Sequence, residues 1–154
     1  MALGIATIAH AVLAVFLIIE LGLMAYLVDW RWSPSSYNFM LFNTIWSILV
    51  LLYLALTTTV LARFFHAMVA LGLLIVTTIF WFAGSIAMAA WLGVPNCHGS
   101  TPCGCAQAAI AFGFFIWAIF LGLTVLEGMA FLRGRGPSAH ADTKPGHSSG
   151  HSFA

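Results

Sequence analysis

Charge is what this sequence has least of: five Lys or Arg and four Asp or Glu in 154 residues, against 62% hydrophobic residues and a mean hydropathy of +1.05. A chain this apolar lacks the polar surface to stay dispersed in water, which excludes a soluble globular domain and leaves an integral membrane protein. So few cations make no basic patch for a phosphate backbone, and nucleic acid is not an expected partner. Residues 1–9 carry no Lys or Arg. A cleaved signal peptide needs a basic start, so the first apolar run is expected to be retained. Also absent are a phosphate-binding glycine loop, a nucleophile elbow and paired catalytic carboxylates, so no enzyme and no cofactor is expected. None of Asn38, Asn43 or Asn96 opens an N-x-Ser/Thr sequon, and no cysteine occurs outside residues 97–105. N-glycosylation and cytosolic palmitoylation are therefore not expected.

What is present is a series of four apolar runs, near residues 5–28, 39–62, 66–92 and 107–132. Each has the roughly 20 residues that cross a hydrocarbon core of about 30 Å. No period-2 alternation appears, so the spans are helices and not barrel strands. The expected fold is all-α: a four-helix transmembrane bundle over residues 1–132, followed by a tail at 133–154. That tail begins RGRGPSAHADTKPG, too polar to form a core, and is expected to be disordered and cytoplasmic. Its His147 and His151 have metal-ligand spacing, but Gly146 and Gly150 disfavour the helix that would align them.

Four spans put both termini on one side. Arg63, Arg133, Arg135 and Lys144 share that side and only Arg31 lies opposite, so the termini are expected to face the cytoplasm. The outward connections, 29–38 and 93–106, are short and rich in Trp, Pro, Gly and Ser. Trp30, Trp32 and Trp91 stand where amphipathic rings anchor a helix at the headgroups.

All three cysteines fall in the second outward connection, on the oxidising side, where a disulfide is their expected use. Cys97 can pair with Cys103 or with Cys105, whereas Cys103 with Cys105 is too closely spaced. With His98 these thiols also resemble a metal set, but the oxidising loop and the lack of a CxxC pair disfavour it, and no metal is expected.

Acidic groups inside a span mark function by default. Glu20 lies about 12 Å from the outer end of its helix and Glu127 about 8 Å from the inner end of its own, too different in depth to share a proton or a metal. Glu127 is within reach of inner-side arginines. Glu20 has no cation at its depth, and is expected to hydrogen-bond to a Thr, Ser or Asn of a neighbouring helix; a proton or cation coupling role is the sharper alternative. Asn43, Ser47, Thr77, Thr78, Ser85 and the threonines at 57–59 fit the polar contacts that pack helices in lipid. Ala83 with Ala87, and Ala118 with Gly122, permit close helix approach inside the bundle or between copies. His10 and His66 sit near span ends, as interfacial side chains and not haem ligands.

Three stretches carry a family resemblance: YNFMLFNTIWSILVLLYLAL at 37–56, FWFAGSIAMAAW at 80–91 and CAQAAIAFGFFIW at 105–117. Their order around the cysteine loop resembles the second to fourth spans of fungal MARVEL-domain proteins, with Phe80 and Trp81 in the third span and Ala111, Phe112 and Trp117 in the fourth as the matching motif residues. Similar proteins often place an acidic residue early in the third span and a basic one just after the loop cysteine; this chain has apolar residues 69–74 and Ala106 there.

The resemblance implies a non-enzymatic membrane organiser acting in lateral domain formation, membrane apposition or vesicle traffic, with relatives linked to eisosomes and non-classical export, in the plasma membrane. Expected partners are membrane lipids, further copies of the chain, and cytosolic proteins at the tail. The alternative is a small proton-coupled transporter using Glu20 as its coupling carboxylate, since small multidrug-resistance transporters also have four short-looped spans and a carboxylate in the first.

Overall fold

The computed structural model describes residues 2–29, 34–59, 67–93 and 96–134. Trp30, Trp32, Arg63, His66 and the tail beyond residue 134 fall outside these, as do the side chains at 57–59. The chain forms four helices: α1 (Ala2–Val28), α2 (Ser35–Thr59), α3 (Ala67–Leu92) and α4 (Thr101–Gly134). All four are long and apolar enough to cross a membrane. The 27 residues of α1 make a rod of about 40 Å, more than the hydrocarbon core requires. Consecutive helices run antiparallel and α4 closes back on α1, so each helix packs against two neighbours around one axis.

The helix ends follow from local chemistry. Pro34 precedes α2 and its carbonyl accepts the Tyr37 N–H at 3.0 Å. At the same end of the bundle, α3 stops at Gly93, whose φ of +66° is the left-handed conformation glycine adopts freely; its N–H donates to the Ala89 carbonyl at 2.9 Å. The chain then reverses through His98 and Gly99, with φ of 35° and 79°, closed by the Ser100 N–H on the Cys97 carbonyl at 2.6 Å. Two successive left-handed residues define a type I′ turn.

The fourth helix starts six residues before the expected 107, at Thr101. Pro102 reads as a loop residue in the sequence, yet it sits in the first turn, where its missing N–H has no intrahelical partner to lose. The Ser100 carbonyl accepts the Gly104 N–H at 3.1 Å, the first bond of the helix. As a result Cys103 and Cys105 belong to α4, and the outward connection is shorter than the expected 93–106.

Burial is inverted relative to a water-soluble bundle. Large apolar side chains such as Ile18, Leu49, Ile79 and Phe115 are exposed, while Glu20, Asn43, Thr44, Ser47, Thr77, Thr78 and Ser85 are all buried. Lipid solvates the apolar exterior, so polar groups gather where other helices can satisfy them.

Candidate functional site

The polar interior is built from the threonines upward. Thr44, Thr77, Thr78 and Thr124 each donate to the carbonyl four residues earlier, on Met40, Leu73, Leu74 and Phe120, at 2.7 to 2.9 Å. That bond satisfies the hydroxyl proton inside its own helix and leaves the oxygen free to accept from outside.

Between α2 and α3 those oxygens and two indoles interlock. Trp46 Nε1 donates to Thr77 Oγ1 at 3.1 Å, and in the opposite direction Trp81 Nε1 donates to Ser47 Oγ at 2.7 Å. One turn further out, Asn43 Nδ2 donates to the Phe80 carbonyl at 3.0 Å. Between α3 and α4, Thr78 and Thr124 meet at 3.1 Å, so one of the two shares its single proton between its own-helix carbonyl and the other's oxygen. Such interhelical bonds contribute about 0.6 kcal/mol each in lipid, so their role here is to fix register more than to supply stability.

Two glycines make the close approach possible. A Cβ on Gly84 would lie 2.5 Å from Met40 Sδ and 2.9 Å from Asn43 Nδ2, and one on Gly113 would lie 2.7 Å from Ser85 Oγ and 3.2 Å from Met40 Cε. Met40, Asn43, Gly84, Ser85 and Gly113 therefore form a single packing node drawn from α2, α3 and α4.

Among the described residues, four buried side-chain oxygens have no hydrogen-bond partner: both of Glu20, Oδ1 of Asn43 and Oγ of Ser85. Glu20 is fully buried. The hydrogen bond expected for it from a neighbouring Thr, Ser or Asn is not made: Thr44, Thr77 and Thr78 bond their own helices, Ser47 accepts from Trp81, Asn43 donates to the Phe80 carbonyl, and Ser85, whose hydroxyl has no partner, is not bonded to it either.

At the outer end lies a cavity of about 280 Å³, lined by Leu27 of α1, Tyr37 of α2, Trp91 and Leu92 of α3, and Ser100, Pro102 and Cys103 at the start of α4. Tyr37 and Trp91 meet edge to face at 5.3 Å across it. Cys97 and Cys103 are disulfide-bonded with Cα atoms 5.5 Å apart, and Cys105 is free. Because residues two apart on a helix point about 200° from each other, Cys103 turns to Cys97 while Cys105 packs against the core.

The other residues singled out by the sequence are dispersed. Trp91 is 54% exposed at the outer end, and Glu127 is exposed on α4. Trp81 is fully buried, and Phe80 packs on Phe39 at 6.0 Å. On α4, Phe112 packs on Phe16 at 5.4 Å and Trp117 on Phe82 at 5.4 Å, while Ala111 is exposed. Apart from the exposed Ala111, the motif residues are thus helix-packing contacts spread over the bundle and not one site. Sequence reasoning missed Gly84, Gly113 and Met40; the only signal for the glycines was their neighbours, Ser85 and the aromatic run around 112–115.

A family model described as a membrane-associating domain, MARVEL, matches residues 3–126. No curated protein and no solved structure matches the chain.

Proposed function

The chain belongs to the MARVEL family of membrane-associating domains, and on that premise we propose that it acts as a non-enzymatic membrane organiser, in lateral domain formation, membrane apposition or vesicle traffic. The observation that carries this is the distribution of polarity. The described exterior of all four helices is mostly apolar, the polar side chains of the span interiors turn inward except Glu127, and the outward connections are short, so what the molecule offers to partners is chiefly its lipid-facing surface. A surface of that kind acts through lipid preference and lateral contact.

The Cys97–Cys103 bond supports placing the α3–α4 connection on the oxidising side, and hence both termini in the cytoplasm; the plasma membrane as the site of action rests on the family resemblance alone. Lateral self-association is supported by Ala83, Ala87, Ala118 and Gly122, all exposed to the outside of the bundle where a second copy could approach. The tail beyond α4, residues 135–154, would serve cytosolic partners. Imaging of the full chain tagged at its C-terminus in a yeast host, with recovery after bleaching, tests the proposal. Static surface patches are expected; a uniform and freely diffusing signal would remove the organiser role.

One observation favours a second reading, a small proton-coupled transporter: the complete burial of Glu20 in the first span. Gradient-driven flux of a substrate that disappears in Glu20→Gln would establish it.

A further inference from the structure

From the outer cavity, three helices step inward through the same succession of side chains. On α1 it is Leu27, Met24 and Glu20; on α2 Tyr37, Met40 and Asn43; on α3 Leu92, Met88 and Ser85. Leu27, Tyr37 and Leu92 line the cavity, and the three methionines beneath it are each 0% exposed. Each polar residue lies six or seven positions inward of the cavity wall on its own helix, about 10 Å. Glu20, Asn43 and Ser85 therefore share one level, with Met24 and Met88 one turn further out and the Met40 thioether beside it, its Sδ 4.0 Å from Asn43 Nδ2. The fourth helix contributes only small residues to this column, Ala106, Ala109 and then Gly113.

These same three residues own all of the buried side-chain atoms without partners among the described residues, and every such atom is an oxygen. Asn43 cannot relieve its own by flipping, since its Nδ2 is held on the Phe80 carbonyl. Ser85 lacks the bond to its own helix that Thr44, Thr77, Thr78 and Thr124 make. Unpaired polar atoms in a bundle interior are strongly disfavoured, and a level that concentrates four of them is shaped for something that oxygens accept.

The charge pattern narrows the occupant. Among the buried described residues Glu20 is the one acidic or basic group; the other titratable side chain is Tyr37, at the cavity. A carboxylate, an amide carbonyl and a hydroxyl are hard ligands and suit a hard cation, not a soft one. A single positive charge neutralises the single carboxylate, whereas a divalent ion would leave net charge in a low-dielectric interior. We propose that Glu20, Asn43 and Ser85 form an internal binding site for a small hard monovalent cation of the sodium class, reached from the outer cavity past Met24, Met40 and Met88. Flexible thioether side chains can part and reclose without leaving a polar atom stranded. The proposal concerns equilibrium occupancy and rests on neither functional reading above.

Thermal unfolding of the full chain in lipid nanodiscs, at mildly alkaline pH, tests it by comparing sodium with choline chloride at equal ionic strength, alongside direct binding of radioactive sodium. Sodium is expected to raise the midpoint by about 5 °C over choline. Glu20→Gln should abolish both the shift and the bound isotope, and Ser85→Ala should weaken sodium binding about tenfold while leaving the choline midpoint nearly unchanged. Equal midpoints in sodium and choline would overturn the proposal and leave the level to water or to a proton. A sodium shift that survives Glu20→Gln would overturn it too. Should Glu20→Gln fail to fold, Ser85→Ala decides: weakened sodium binding sustains the site and unchanged binding removes it.

Discussion

Trp81 Nε1 donates to Ser47 Oγ at 2.7 Å, with both residues fully buried. This bond and its counterpart from Trp46 to Thr77 run in opposite directions between α2 and α3, so sliding either helix by one residue breaks both. Ser47→Ala leaves an indole N–H unpaired in the interior and is expected to cost about 1 kcal/mol. Trp81→Phe should cost more, since it also removes packed surface. The double substitution should destabilise by less than the two singles together, because neither partner is then stranded. Equilibrium unfolding in mixed micelles measures all three, and strict additivity would show that the bond carries no coupling.

The node around Met40 makes a sharper prediction. At Gly84 an added methyl group meets Met40 Sδ at 2.5 Å and the Asn43 amide at 2.9 Å, so Gly84→Ala must push α2 and α3 apart or displace two buried side chains. A loss of about 1–3 kcal/mol is expected, as for overpacking elsewhere. At Gly113 the closest atom is the Ser85 hydroxyl, at 2.7 Å from a built Cβ, with Ser85 Cβ further off at 3.7 Å. Gly113→Ala should therefore be destabilising in the native chain and largely rescued in a Ser85→Ala background. Gly72→Ala is the control: nothing lies within 4 Å of that position. Equal effects at positions 72 and 84 would mean that the node does not exist.

The contrast among glycines also shows how far the sequence could be read. Span number and approximate limits followed from length and hydropathy alone, because only a helix of that length satisfies its backbone in lipid. Which face points inward did not follow from apolar residues, since Leu13 inside and Ile18 outside are equally at home beside lipid or protein. Polar residues were the usable marker: Asn43, Ser47, Thr77, Thr78 and Ser85 were all read as packing groups and all turn inward. Glycines carry no such marker, and Gly84 at the node looks in sequence like Gly72 in open space. Glu20 was legible as exceptional, but not its lack of a partner, which depends on where the side chains of three other helices come to lie.

At the outer end, helical geometry decides the disulfide. Cys103 and Cys105 project in nearly opposite directions from α4, so Cys105 is not expected to substitute when its neighbour is removed. Alkylation of the unreduced, denatured protein followed by mass spectrometry should label one cysteine, Cys105, in the native chain. In Cys103→Ser it should label two, Cys97 and Cys105. Protection of both in that variant would show that the first turns of α4 can rotate or unwind to offer Cys105, contrary to a helix that begins at Thr101.

The outward-facing small residues separate packing within one bundle from packing between bundles. Gly122 and Ala118 are exposed on α4, and a Cβ at Gly122 would meet nothing within 4 Å. Enlarging them should leave the single bundle intact: Ala118→Leu with Gly122→Leu is expected to change unfolding stability by less than about 1 kcal/mol, because exposed positions away from special features are tolerant. If copies associate through this face, the same pair of substitutions should abolish the contact, since close approach of two helices in lipid depends on small side chains. Crosslinking in native membranes, compared between the two proteins at matched expression, reads this directly. Loss of the crosslinked species with unchanged stability places the lateral contact on α4. Retention of it would move the contact to another face, with the Ala83 and Ala87 pair on α3 as the next position to enlarge.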